Sequence, residues 1–274
     1  MVDPHVPATA GRAAAFFDLD KTIIARSSTL AFSRSFYRGG LITRRAVVRS
    51  SYAQFVYLLG GADHEQMERM RAYLSSLVTG WDVAQVKELV AETLHELIDP
   101  IIYDEAATLL EEHRAAGRDI VVVSASGAEV VEPIGEMLGA SRVVATRMVV
   151  EDGRYTGEIE TYMAREAKAD AVRRLAEEEG YDLAESYAYS DSVTDLPMLE
   201  AVGHPSVVNP DRGLRKEAIA RGWPVLVFTK PVSLRDRFSG RTAPALATAA
   251  TVAGAATAGY VWYAARRRGR SAGA

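Results

Sequence analysis

Three short runs that read as strands, the first two of them apolar, each lead into a residue capable of chemistry and constrain this chain more than any other feature. Ala13-Ala14-Ala15-Phe16-Phe17 leads into Asp18, Ile120-Val121-Val122-Val123 into Ser124, and Glu185 to Ser190 into Asp191. Runs this short and continuous are typical of strands buried on both faces, as in a parallel sheet. Helical patterns separate them. One runs from Glu105 to Ala116 and closes at Gly117; another starts near Gly127 and stops at Gly139; a third runs from Ala164 to Glu179 and closes at Gly180. Arg142 to Ala145 reads as a short strand, and Met148 to Ile159 as a hairpin about Asp152-Gly153. A short helix is expected over Asp195 to Val202. Strands at Ser206 to Val208 and Pro224 to Phe228 flank a helix from Arg212 to Ala220. This alternation predicts an α/β fold with a Rossmann-like parallel sheet covered on both faces. Sites in such folds lie at the carboxyl ends of the strands, where Asp18, Ser124 and Asp191 fall.

Residues 26–99 interrupt the alternation with helical spacing alone: Leu30 to Phe36, Val47 to Leu59, Met67 to Val78 and Val83 to Leu97, broken by Gly39-Gly40 and Gly60-Gly61. They are expected to form a helical cap inserted into a core of residues 13–25 and 100–230. Tyr37, Tyr52, Phe55 and Tyr57 serve either as the cap's own core or as a lining for an apolar substrate. Residues 1–12 read as a flexible tail without a signal-type apolar run. After a linker at 231–242, Ala243 to Ala265 carries no charge and is long enough for a transmembrane helix, followed by a basic tail at 266–274. Its Ala, Thr and Gly content leaves a second reading open, an apolar helix packed on a partner or a loose tail. The span reading implies membrane association through the C-terminus, with the catalytic domain on the cytoplasmic side.

A net charge of −4 gives no basic excess of the kind nucleic-acid binders carry. The absence of cysteine excludes disulfides and thiolate catalysis. The five histidines share no metal-ligand spacing and read as structural or surface residues.

The chemistry centres on Asp18-Leu19-Asp20-Lys21-Thr22. A carboxylate at a strand end can attack phosphorus. A second one two residues on can protonate a leaving oxygen and then deprotonate water. Two carboxylates and a phosphate repel one another, so a divalent cation is expected between them, and Mg2+ suits an all-oxygen site. Ser124, with the backbone N–H groups that open the next helix, forms an anion site or an ordinary cap. Lys168, near a helix start, can neutralise phosphate. Asp191 ends a strand and can ligate a metal, with Asp195 one helical turn on.

These signals, in this order, resemble the haloacid dehalogenase superfamily over about Ala13 to Phe228, with DxDxT at 18–22, the strand-end Ser124, Lys168 and the acidic pair Asp191 and Asp195. The insertion directly after the first motif resembles the cap of the phosphoserine phosphatase-like branch, subfamily IB. The stretch Ser190-Asp191-Ser192-Val193-Thr194-Asp195 onward is similar to that branch too. The resemblance implies Asp18 as nucleophile and Asp20 as acid/base. It implies Ser124, Ala125, Lys168 and Thr22 on the substrate phosphate. It places Mg2+ on Asp18, the Asp20 carbonyl and Asp191, with Asp195 in support. It also places Asn209 and Pro210 beside the site and Arg212 facing it.

Three departures bear on the substrate. Ser27 stands where relatives that bind phosphoserine carry a glutamate, Ala125-Ser126 replaces a Gly-Gly, and Ser190 and Ser192 replace glycines. The expected function is therefore an Mg-dependent phosphate monoester hydrolase acting through an aspartyl-phosphate. A lysophospholipid-like substrate at a membrane is one expectation, and a small metabolite such as phosphoserine the other. A binding protein on a phosphatase fold and a phosphonatase are rival readings; the second lacks a cap lysine beyond Lys87.

Overall fold

The computed structural model describes residues 12–41, 75 and 78–231. The chain divides into two units, Met1–Arg235 and Asp236–Ala274, and the second lies outside the described residues. The described residues form strands β1 (Ala14–Phe17), β2 (Asp119–Gly127), β3 (Arg142–Glu151), β4 (Arg154–Thr161), β5 (Tyr187–Ser190), β6 (His204–Val208) and β7 (Val225–Leu226). Their order in one sheet is β4-β3-β2-β1-β5-β6-β7. Every pairing is parallel except β3 with β4. Helices α1 (Ser28–Arg38), α2 (Val83–Ile98), α3 (Asp104–Ala115), α4 (Ala128–Met137), α5 (Glu166–Glu179), α6 (Leu196–Glu200) and α7 (Arg212–Arg221) cover it.

β1 sits at the centre, and all four of its residues are buried. Successive side chains point to opposite faces of a strand. Ala15 and Phe17 join one core with Phe32, Val90, Leu110 and Ile134, and Ala14 and Phe16 join the other with Val172, Met198, Leu199 and Leu214. The central strand thus needs apolar residues at every position, which is why its sequence does not alternate. Gly203 explains how tightly β5 and β6 are joined: a Cβ there would lie 1.8 Å from the carbonyl oxygen of Ala184.

One expectation is corrected. The separate strand and hairpin expected at 142–145 and 148–159 share a single ten-residue strand, β3. It leaves β2 as a parallel partner and continues as the antiparallel partner of β4. Asp152 and Gly153 turn the hairpin, both at positive φ, which matches the twist of the flanking strands. The outer edge of β4 is covered by the chain returning from the insertion: the N–H of Gly80 donates to Tyr155, that of Tyr155 to Trp81 and that of Val83 to Gly153. These bonds pair the start of the β4 edge within the chain.

Of the insertion, α1 and α2 are described. α1 packs on α2, and Phe36 meets Trp81 edge to face. α2 starts at Asp82, whose carboxylate accepts from Ala84 N and Gln85 N, and buries Val86, Val90, Leu94 and Ile98 at every fourth position. The helices expected over Val47 to Leu59 and most of Met67 to Val78 lie outside the described residues, as do Tyr52, Phe55 and Tyr57. No helix among the described residues is long and apolar enough to cross a membrane. The span expected at 243–265 lies outside them.

His113 on α3 is buried against the sheet, with Phe17, Tyr187 and Tyr189 around it. Its Nδ1 accepts from Arg118 Nε at 2.7 Å, and Nε2 lies 2.8 Å from the Tyr189 hydroxyl. Arg118 can only donate, so the imidazole is neutral with its proton on Nε2. Burial, and then the Arg118 charge, lower its pKa from 6.5 to about 4. Above pH 6.5 both folded and unfolded chains hold this histidine neutral. As pH falls toward 4 only the unfolded chain takes the proton, which removes roughly 3 kcal/mol of stability. We expect the urea midpoint to fall between pH 6.5 and 4, and His113→Gln, which keeps a donor and an acceptor without titrating, to flatten that fall. An unchanged slope in the variant would disprove the assignment.

Candidate active site

Phe17 pairs with Val122 on one side and Tyr189 on the other. Asp18, Ser124 and Asp191 therefore leave three adjacent strands at one edge of the sheet. The N–H of Asp18 donates to Tyr189 O at 2.9 Å, extending the ladder one residue past β1. The chain then turns tightly, with the N–H groups of Ile23 and Ile24 both on Leu19 O. Lys21 takes a φ of 63° in this turn, a conformation that costs a non-glycine residue about 1 kcal/mol and is common where a site dictates the backbone.

Asp18 is buried and fully engaged. Its Oδ1 accepts from Lys168 Nζ at 2.7 Å and its Oδ2 from Thr22 Oγ1 at 3.2 Å. Lys168, at the third position of α5, also donates to Asp195 Oδ2 at 2.7 Å, and Ser190 Oγ donates to the same oxygen at 2.8 Å. Lys168 is 2 % exposed, Asp195 4 % and Asp18 6 %. Burial pushes the Asp18 carboxyl above the usual carboxylate range; Lys168 opposes this, while Asp195, Asp191 and Asp20 add to it. Burial works against the Lys168 ammonium too, but Asp18 and Asp195 overcome it and hold its pKa above the ordinary lysine value.

Asp191 follows β5. Burial raises its pKa to about 6, with Asp195 and Asp211 adding to the rise and Lys21 and Lys168 opposing it. The 3₁₀ turn Val193–Asp195 that carries Asp195 is held by Asp211, whose Oδ2 accepts from Val193 N at 2.9 Å and Ser192 Oγ at 3.3 Å. Asp211 also starts α7 by accepting from Leu214 N at 2.7 Å, and its own N–H donates to Asp191 O.

At the end of β2 the pairing with β3 slips between Ser124 and Gly127. Ser124 is buried, and its Oγ accepts from Ser126 N at 3.2 Å. That bond uses a lone pair of Ser124 and leaves its hydroxyl proton for an anion. Ala125 is exposed at this bulge, just before α4. Asp20 stands apart from the Lys168 cluster: its Oδ1 accepts from Ser28 N at 2.7 Å and its Oδ2 from Ser126 Oγ at 2.9 Å.

The structure thus joins Asp18, Thr22, Lys168 and Asp195 directly, with Asp20, Ser124, Ala125 and Asp191 at the same sheet edge. The Thr22 hydroxyl, expected on the substrate phosphate, donates to Asp18. Asn209 follows β6, the strand beside β5, as expected, and its side chain bonds the backbone N–H and C=O of Phe228, tying β6 to the chain after β7. Ser28, Ser126, Ser190 and Asp211 were not read as site residues from sequence. Ser126 and Ser190 had left one signal, a hydroxyl where the resembling family places glycine.

No group of three or more His, Cys, Asp or Glu side chains among the described residues is arranged to hold a metal ion. The donor set nevertheless suits a hard dication that keeps several waters. Asp18 and Asp191 carry pKa values raised in part by neighbouring carboxylates. Lys168 is the cation directly bonded to this group. Further positive charge bound by oxygen would let Asp18 and Asp191 ionise together.

The sequence pattern of haloacid dehalogenase-like hydrolases matches residues 15–200. The chain is 69% identical over 262 residues to the "inhibition of morphological differentiation protein" of Streptomyces azureus, covering 94% of this chain and 95% of that protein. It is 62% identical over 266 residues to a probable phosphatase of Mycobacterium tuberculosis, covering 97% and 93%. It is 35% identical over 218 residues to phosphoserine phosphatase SerB1 of the same organism, covering 79% and 71%. A solved structure of a Bordetella pertussis protein of unknown function superposes with a TM-score of 0.69 at 33% identity, covering 78% of this chain and 98% of that one. The chain therefore belongs to the haloacid dehalogenase-like hydrolases, with phosphoserine phosphatase-like relatives.

Proposed function

We propose that this protein is a phosphatase that hydrolyses phosphate monoesters in two steps, with Asp18 as nucleophile. The observation that carries the reading is the buried Asp18–Lys168–Asp195 cluster at the carboxyl end of the central strand. In the first step Asp18 Oδ2 or Oδ1 bonds to phosphorus, the ester P–O bond breaks, and Asp20 gives its proton to the departing oxygen. In the second, water attacks phosphorus, its proton returns to Asp20, and the bond to Asp18 breaks to release inorganic phosphate. Lys168 offsets charge on the phosphoryl oxygens, as do the Ser124 hydroxyl and the N–H groups of the β2 bulge. Thr22 orients the nucleophile. Asp18, the Asp20 carbonyl and Asp191 would hold Mg2+, which when bound supplies charge neutralisation between the nucleophile and the phosphate.

The substrate follows less directly. Ser27 is half-buried where a charged partner for an ammonium group is expected in phosphoserine-binding relatives. Small-metabolite esters, phosphoserine among them, are the first class to assay, because a relative 35% identical is named a phosphoserine phosphatase and one 32% identical a histidinol-phosphatase. The lipid-phosphate reading rests on the uncharged run at 243–265, the aromatic residues of the insertion and Ser27, and a lysophosphatidate arm of the same assay tests it.

Phosphate release by the full-length protein from a panel of monoesters, with Mg2+ or with EDTA, checks the proposal. Release is expected to need Mg2+ and to disappear in Asp18→Asn, and a phosphoryl group should be trapped on the Asp18 peptide of the wild type. Asp20→Asn should lower turnover by about 10²- to 10⁴-fold. Lys168→Met should cost on the order of 10²- to 10³-fold in kcat. Undiminished turnover in Asp18→Asn would rule out the proposed nucleophile.

A further inference from the structure

We propose that Ser126 is a positioning residue for Asp20, holding the oxygen that carries the transferred proton; this rests on the phosphatase reading above. The two oxygens of Asp20 have different partners. Oδ1 accepts from the backbone N–H of Ser28, at the first residue of α1, at 2.7 Å. A backbone N–H can donate and never accept, so Oδ1 is satisfied as a bare oxygen and is the poorer place for a proton. Oδ2 meets a hydroxyl instead, Ser126 Oγ at 2.9 Å. A hydroxyl can do both: it donates to Oδ2 while Asp20 is a carboxylate, and by rotating it accepts from Oδ2 when Asp20 is protonated. Ser126 therefore suits both states that an acid–base residue must visit, and it marks Oδ2 as the proton-bearing atom.

Ser126 is itself fixed in place. Its N–H donates to Ser124 Oγ, and its Oγ accepts from the hydroxyl of Ser28, which is 0 % exposed, at 3.0 Å. Thr29 Oγ1 lies 3.3 Å from the same oxygen. The Asp20 carboxylate is thus clamped between the core, through the bulge at the end of β2, and the inserted segment, through the first turn of α1. Glycine at position 126 would remove the core half of the clamp. The hydroxyl there is consequently a property of this chain's loop, and its effect should be confined to the step in which a proton moves.

The test is leaving-group dependence in kcat/KM, which reports steps up to phosphoryl transfer to Asp18. An alkyl phosphate needs its leaving oxygen protonated; p-nitrophenyl phosphate, with a stable leaving anion, needs this far less. In the full-length protein, Ser126→Ala is expected to lower kcat/KM for the best alkyl phosphate by roughly tenfold or more and for p-nitrophenyl phosphate by less than about threefold. Ser126→Thr, which keeps the hydroxyl, should stay near wild type. Ser126→Val, its isostere without one, should behave like alanine, so a packing defect common to both β-branched variants is separated from loss of the hydroxyl. Ser126→Ala combined with Asp20→Asn should be no worse than Asp20→Asn alone. Equal losses on both substrates, additive losses in the double variant, or Val matching Thr would each overturn the proposal. Activity surviving in Asp18→Asn would instead overturn the phosphatase reading on which it rests.

Discussion

The contact on which the site depends is one buried ammonium shared by two carboxylates. Lys168 reaches Asp18 and Asp195, each at 2.7 Å, and all three groups are almost fully removed from water. Removing one partner of a buried ionic cluster typically costs on the order of 3–5 kcal/mol, because the others are left uncompensated. The cluster therefore ties together three elements that meet nowhere else in sequence: the end of β1, the first turn of α5 and the turn after β5. It is also poised for chemistry. One ammonium faces two carboxylates, so a cation bound there, as proposed, would offset the remaining negative charge.

The surrounding loops hold this arrangement with local bonds. Asp211 caps α7 while bonding Val193 and Ser192, so the turn that presents Asp195 is fastened to the next helix along the sheet. Ser190 fills the remaining demand of the Asp195 oxygen. On the other flank, Ser28 and Ser126 clamp Asp20 between the core and the insertion. Asp18 and Asp20 are thus held by separate networks, as the separate roles proposed for them would require.

Much of the fold was legible because it is written in local periodicity. The short runs leading into Asp18, Ser124 and Asp191 marked three parallel strands, and Gly180 closes the intervening helix as a left-handed cap where the sequence ends it. β3 was misread as two strands because a change of partner, from β2 to β4, leaves no break in an extended sequence. Asn209 follows a strand end as the sequence indicates, whereas the bond of its amide to the backbone of Phe228, 19 residues away, is announced by no local pattern.

By itself the sequence determined the α/β class and the sheet edge where Asp18, Ser124 and Asp191 gather, with Asp20, Thr22, Lys168 and Asp195 as candidate neighbours. These follow from residue type and spacing along the chain. Only the tertiary structure decided which oxygen each group occupies: Lys168 on Asp18 Oδ1 and Thr22 on Oδ2, Ser28 on Asp20 Oδ1 and Ser126 on Oδ2. Lys168 and Asp18 are 150 residues apart, and Ser126 and Asp20 are 106 apart. Periodicity reports which face a residue takes on its own element, whereas a hydrogen bond across such distances exists only once packing has brought two elements into one register.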